Sequence, residues 1–155
     1  MSSPIGPLTL LSDGERLCGL APDSVLERDK WEGRGKRDQT PFRAVIAELR
    51  SYFDGEQSCF KAHIGLLGTP FQLRVWEALL CIPCGTTTSY ANLAASVGRP
   101  TAIRAVGAAN GRNPISILVP CHRVVGSTGH LTGYSGGIDR KRWLLEHETK
   151  HWGTA

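Results

Sequence analysis

No stretch of this 155-residue chain is apolar over anything near the length that crosses a bilayer. Its first residues, MSSPIGPLTLL, lack the basic segment and long apolar core of a secretory leader. The expectation is a cytoplasmic protein, neither secreted nor inserted in a membrane. The cysteines number five at irregular spacing, which argues against a disulfide framework and for reduced thiols. Metal-ligand pairs are missing too. CIPC, Cys81 to Cys84, has no second C-x-x-C, and His147 with His151 lies far along the chain, so no metal is expected. A thioredoxin-like reading fails because CIPC follows a helix instead of opening one. Acidic residues are scarce in the second part. Residues 1–65 carry nine Lys/Arg and ten Asp/Glu, net −1, whereas residues 66–155 carry nine and four, net +5. Such an excess suits a surface that meets a polyanion, or ordinary solubilisation.

With 41% hydrophobic and 21% charged residues, the chain has the composition of a soluble globular protein, one domain or two small ones. SPIGPLTLLSDGERLCGLAP reads as a hairpin turning at Ser12-Asp13-Gly14, and RDKWEGRGKRDQT as a polar loop. TPFRAVIAELRSYFDGE reads as a helix with Thr40 as cap, Pro41 at its first position and Val45, Leu49, Tyr52 and Phe53 at helical spacing. CFKAHIGL reads as a third strand. Cys18 and Cys59, within strand-like segments, are expected to be buried small hydrophobes.

From GTPFQLRVWEALLCIP the character changes. Thr69-Pro70 opens a helix whose apolar face holds Phe71, Val75, Trp76 and Leu79. TTTSYANLAASVGRPTAIRAVGAANGRNP then offers two short helices around Gly98-Arg99, a helix-turn-helix candidate with Pro100 opening the second. That second helix, from Thr101 to Asn110, is slender: Ala102, Ala105, Gly107, Ala108 and Ala109, with Arg104 its one long cation. Mid-helix glycine costs about 1 kcal/mol relative to alanine. The thinness serves either close helix packing or insertion into a nucleic-acid groove, where Arg104 could probe the base stack.

NPISILVPCHRVV, Asn113 to Val125, reads as an apolar strand that ends in a nucleophile, Cys121, beside a base, His122, and a cation, Arg123. Neighbours in an extended segment point to opposite sides, so a bridging water or a turn is needed between Cys121 and His122. A third group must orient the imidazole. Arg142 and Glu146 stand four apart, the spacing of an exposed ion pair. Glu148 shares the face of Leu144 and Leu145, and a carboxylate on an apolar face needs a partner, so Glu148 is the expected partner of His122. The loop GSTGHLTGYSGGID has five glycines in fourteen residues. It can be a plain flexible loop or the lip of a pocket that admits a flat ligand, with Tyr134 and Ser135 as polar handles.

FQLRVWEALLCIPCGTTTSYANLA, RAVGAANGRNPISILVPCHRVVG and LTGYSGGIDRKRWLLEHE, with SPIGPLTL at the start, resemble the O6-alkylguanine-DNA alkyltransferase family over nearly the whole chain. The resemblance implies an α+β fold: a small N-terminal ribonuclease-H-like α/β domain over residues 1–65, then a C-terminal helical domain with a winged-helix-like helix-turn-helix over residues 66–155. It implies that Cys121 takes the alkyl group from guanine O6 once and irreversibly. His122 would deprotonate Cys121 through a water, Glu148 would hold His122, and Asn113 would brace the preceding turn. Tyr90 would donate to guanine N3 or rotate the 3′ phosphate. Ser135 would hydrogen-bond O6 beside Tyr134, and the carbonyls of Cys121 and Val124 would take the exocyclic amine. Arg104 would fill the stack of a flipped base from the minor groove, and Thr101, Ala102, Ala105 and Arg123 are assigned to the DNA contact with it. The implied partner is double-stranded DNA containing O6-alkylguanine, bound by a monomer with no cofactor. Some family members hold zinc in the N-terminal part, and this chain has no such ligand set there. Ser116 and Thr132 fall at positions of the pocket lip that vary. Two other readings stay open: a module that senses lesions without chemistry, and a thiol hydrolase using Cys121, His122 and Glu148.

Overall fold

The computed structural model describes residues 1–26 and 36–153. Residues 28–35 of the expected polar loop lie outside them. The chain opens on a hairpin, β1 (Leu8–Ser12) and β2 (Leu17–Pro22), antiparallel with Leu10 opposite Leu20. The Asp13 carboxylate closes its turn, accepting from the backbone of Glu15 and Arg16. A one-turn helix, α1 (Asp23–Leu26), follows. The expected third strand is not formed. Only Leu17 and Ile64 bridge, because the amides of Lys61 and Ala62 are drawn to the Glu48 carboxylate instead of a ladder. Cys18 is half-buried and Cys59 exposed, so neither is the core residue expected.

Thr40–Phe42 makes a single 3-10 turn, and α2 (Arg43–Phe53) begins after it. Thr40 is therefore not the cap; its amide donates to Asp38. Val45, Leu49 and Tyr52 face the core at the predicted spacing. α3 (Pro70–Leu80) starts as predicted. The Thr69 hydroxyl accepts from Gln72 N, and the Gln72 side chain accepts from Thr69 N, a reciprocal cap worth about 1 kcal/mol.

β3 (Thr88–Ser89) leads into α4 (Tyr90–Ser96), capped by Ser89, and α5 (Ile103–Gly111) follows. Gly98 makes the turn between them. Its φ of 70° lets Gly98 N reach Ala95 O and Arg99 N reach Ala94 O, which satisfies the last carbonyls of α4. No neighbouring atom crowds it, so the left-handed backbone alone asks for glycine. α5 begins at Ile103, not at Pro100, which leaves Thr101 and Ala102 in the turn before it. α3 underlies both helices, and Trp76 Nε1 donates to Ala109 O at 2.9 Å.

The apolar run after Asn113 is not a strand. Residues 115–126 are all buried, yet the chain reverses twice within them. Leu118 N donates to Ser116 O around Ile117, whose φ is 72°, and Cys121 N donates to Val119 O around Pro120. These are two γ-turns, and a β-branched residue in the left-handed region stores about 1–3 kcal/mol of strain. Surrounding contacts hold it. β2 pairs with the run through Leu20 N to Pro114 O (2.9 Å) and Ser116 N to Leu20 O (2.7 Å). The chain then makes a 3-10 turn, Cys121–Arg123, and β4 (Val124–Val125) pairs in parallel with β3. α6 (Ile138–Trp152) closes the fold against that turn. No described helix is long and apolar enough to cross a membrane.

Candidate active site

The 3-10 turn answers how neighbouring residues can serve one site. Cys121, His122 and Arg123 are all buried, and the last two meet one carboxylate, that of Glu148 on α6. His122 Nε2 lies 2.8 Å from Glu148 Oε1 on α6. An ionised carboxylate only accepts, so Nε2 carries the hydrogen and the neutral ring keeps its lone pair on Nδ1. Nδ1 is buried and has no hydrogen-bond partner among the described residues. Burial pushes the His122 pKa down; Glu148 opposes this, while the Arg123 and Lys141 charges add to it. The ring is thus a neutral base at pH 7.

Glu148 is the hub. Oε1 accepts from Tyr52 Oη (2.8 Å), His122 Nε2 (2.8 Å) and Arg123 NH2 (2.9 Å). Oε2 accepts from Arg123 Nε (2.9 Å) and Gly85 N (3.2 Å). Burial alone would raise this carboxyl, but the hydrogen bonds and charges of His122 and Arg123 hold it well below the usual carboxylate range. Gly85 reaches it with φ at 77°, and a Cβ there would sit 2.6 Å from the backbone of Trp152.

Arg123 corrects an expectation. It was assigned to the DNA contact, but its guanidinium points inward, bidentate on Glu148 and donating to Ile82 O at 2.6 Å. A planar fork suits that pairing better than a lone ammonium would. The Arg142–Glu146 pair is also absent; Arg142 pairs with Asp139 on the surface.

Around the thiol, burial pushes the Cys121 pKa up, against a hydrogen bond from Asn113 and the positive charge of Lys141. Asn113 Nδ2 donates to Val119 O at 2.7 Å and its Oδ1 accepts from Ile115 N at 3.0 Å, which ties the γ-turns together. Asn110 Nδ2 reaches Cys121 O at 3.4 Å. Burial, then the Cys121 charge, pushes the Tyr90 and Tyr134 phenols up. Tyr90 Oη donates to the lip of the glycine-rich loop, at Thr132 O (3.2 Å) and Gly133 O (3.4 Å). Ser135 is half-buried on that loop and Ser116 lies buried behind it.

Lys141 was not singled out by sequence. It is fully buried, donates to Val124 O and to Thr132 O (2.7 Å), and lies 5.9 Å from the Tyr90 ring centre. It ties the active turn to the loop. Burial brings its pKa down to about 8, opposed by the Cys121 charge. The reasoning that picks out Glu148 would also have found it, because 141, 144 and 148 share one helical face. The Val124 carbonyl, assigned to the exocyclic amine, already accepts from Lys141 and has one further lone pair.

On α5 and the turn before it, Thr101, Arg104 and Ala105 are exposed, with Ala102 and Gly107 half-buried and Ala108 exposed. A Cβ on Gly107 would make only ordinary 3.8 Å contact with the Tyr90 ring, and one on Gly111 would meet nothing. Packing does not dictate glycine at 107 or 111, whereas Ala109 is buried against α3. The site residues thus divide into a buried set around Cys121 and an exposed set on α5.

Comparison with known proteins covers both halves. Residues 1–66 match the family described as 6-O-methylguanine DNA methyltransferase, ribonuclease-like domain. Residues 70–150 match 6-O-methylguanine DNA methyltransferase, DNA binding domain. The chain is similar to the methylated-DNA–protein-cysteine methyltransferase of Mycobacterium tuberculosis, 51% identical over 150 residues, spanning 96% of this chain and 89% of the relative. The Salmonella typhimurium protein of the same name is 44% identical over 158 residues, spanning 96% and 92%. Among solved structures, Mycobacterium tuberculosis OGT in complex with DNA superposes with a TM-score of 0.86 at 47% identity, over 99% of this chain and 93% of the other.

Proposed function

The chain belongs to the 6-O-methylguanine DNA methyltransferase family, and from that premise we propose that Cys121 takes the alkyl group of an O6-alkylguanine in duplex DNA, once and irreversibly. The protein is a direct-reversal DNA repair methyltransferase. The observation that carries the assignment to Cys121 is the buried His122–Glu148 pair beside it, which leaves a neutral Nδ1 as base.

The thiol proton passes from Cys121 Sγ to His122 Nδ1 through an intervening water, and the imidazolium that forms is stabilised by Glu148. The thiolate attacks the alkyl carbon, a C–S bond forms and the C–O6 bond breaks. Its electron pair stays on the guanine, which takes a proton at N3 from Tyr90; burial keeps that phenol protonated at neutral pH. Ser135 hydrogen-bonds O6, and the second lone pair of the Val124 carbonyl takes the exocyclic amine. The product thioether carries no activated leaving group, so the nucleophile is not regenerated.

Cys121 is 3% exposed, so a stacked base cannot reach it and the lesion is rotated out of the duplex. α5 and the turn before it enter the minor groove, with Thr101, Ala102 and Ala105 against the backbone, and Arg104 fills the vacated stack. The two units, residues 1–65 and 66–155, act together as a monomer in the cytoplasm.

Mixing the protein with an excess of duplex carrying O6-methylguanine should consume one lesion per protein and then stop. Continued turnover would make it a hydrolase. Cys121→Ala should bind the same duplex and repair nothing; undiminished repair would remove Cys121 from the chemistry. Arg104→Ala should slow transfer from a lesion duplex more than it weakens binding to undamaged duplex, by roughly tenfold. Equal losses would reduce Arg104 to a phosphate contact. Binding of both duplexes should weaken as salt rises.

A further inference from the structure

The base of the reaction is oriented by a residue from the other unit. We infer that Tyr52, at the end of α2, is a positioning residue for alkyl transfer, setting the strength with which Glu148 holds His122. The inference rests on the reading of Cys121 as the alkyl acceptor. Its ground is a shared atom: Tyr52 Oη donates to Glu148 Oε1 at 2.8 Å, the same oxygen that receives His122 Nε2 at 2.8 Å. Tyr52 is fully buried, and burial followed by the Glu148 charge pushes its phenol far up, so it donates at every working pH.

The hydroxyl is held in place by the ring beneath it. Trp152 stacks on Tyr52 with centres 5.6 Å apart and planes 23° apart, while Phe53, Phe60 and His147 pack at 5.3–5.5 Å. His147 Nε2 also meets the Tyr52 carbonyl at 2.7 Å. This aromatic cluster binds α2 to α6 one turn from Glu148. Core packing alone would be met by phenylalanine. A phenol placed on the carboxylate oxygen that faces the base is a chemical choice.

A donor on Oε1 withdraws charge from the oxygen that His122 faces. The carboxylate then pulls less strongly on the imidazole hydrogen, so His122 is harder to protonate and stays available as a base. The other groups facing this pair are fixed: Arg123 on the same turn, Lys141 on α6, Cys84 after α3, the Gly85 amide and Cys121 itself. Arg123 and Lys141 act in the same direction as Tyr52, keeping the ring neutral. Tyr52 is the contribution that arrives from the N-terminal unit, and it makes that unit part of the catalytic arrangement and not only a support.

Tyr52→Phe keeps the ring and removes the hydroxyl. The His122 pKa, followed by proton NMR of the free protein, should rise by about half to one unit. The acid limb of the single-turnover transfer rate should move up by the same amount, a loss of about threefold to tenfold below it, with the rate recovering at higher pH. Phe53→Leu loosens the same cluster without touching Glu148, so it should lower the melting temperature and leave His122 where it was. An unchanged His122 titration in Tyr52→Phe, or an equal shift in both variants, would overturn the inference. A wild-type protein that transfers no alkyl group would overturn the functional reading instead, and the His122 titration would still decide the role of Tyr52.

Discussion

Glu148→Gln should be the most damaging change short of losing the nucleophile, with about 3–5 kcal/mol of stability lost and transfer slowed by about 10²-fold or more. The shape is conserved and only the charge disappears, so both effects are electrostatic. Arg123 is left as a buried cation without its carboxylate, with Ile82 O and at most one amide oxygen still accepting from it. Tyr52, His122 and Gly85 all donate to this one group, and the amide's NH2 turns one of its two acceptors into a donor. His122 then loses the partner that fixes its tautomer and stabilises its protonated form. The pH dependence provides a second check. The folded pKa of Glu148 is depressed, so its stabilisation is present above the ordinary value of 4.5 and lost as pH falls below it. Denaturant melts from pH 7 to pH 3 should show a steep acid decline in the wild type and a flatter one in Glu148→Gln. Parallel declines would assign the acid sensitivity to other groups.

Lys141→Met should cost about 2–3 kcal/mol and slow transfer by about tenfold, the rate equivalent of one pKa unit on the thiol. Methionine fills a similar volume but leaves Val124 O and Thr132 O without their donor, one in the active turn and the other in the loop that covers it. The loop should loosen, which hydrogen exchange at residues 127–136 would detect. The charge matters separately. Lys141 opposes the upward push of burial on Cys121, so its removal should shift the thiol further up. The folded pKa of Lys141 is about 8 against 10.5, so folding disfavours its charged form: the cost is full below 8 and is relieved as pH rises toward 10.5. The wild type should therefore gain stability across that alkaline window, and Lys141→Met should not. An identical alkaline profile in the two proteins would remove Lys141 from this account.

Much of the site was legible because chemistry on an apolar face is conspicuous. Glu148 shares the buried face of Leu144 in a helix with few other reasons for a buried carboxylate, and that argument leads to His122 without coordinates. The helix start at Thr69-Pro70 followed from local helix-start rules. The apolar run before Cys121 did not, because buried strands and buried turns share a composition. Two γ-turns, one centred on a β-branched residue, have no signature in a pattern of apolar letters. The third strand failed for a similar reason, since nothing in CFKAHIGL announces that Glu48 will capture its amides. Arg123 was misplaced because a cation beside a reactive cysteine suggests a surface, whereas the pairing that buries it comes from α6. Tyr52 was read as a core residue by its spacing, which is correct for the ring. Its hydroxyl meets a partner 96 residues away, a pairing no local rule can supply.

The most direct test is to map the alkyl group after reaction. The protein should be incubated with duplex DNA carrying O6-methylguanine, digested, and its cysteine peptides weighed. One methyl group on the Cys121 peptide, none on those of Cys18, Cys59, Cys81 or Cys84, and unmodified guanine in the DNA is the result this mechanism requires. An unmodified Cys121 peptide beside repaired DNA would contradict it.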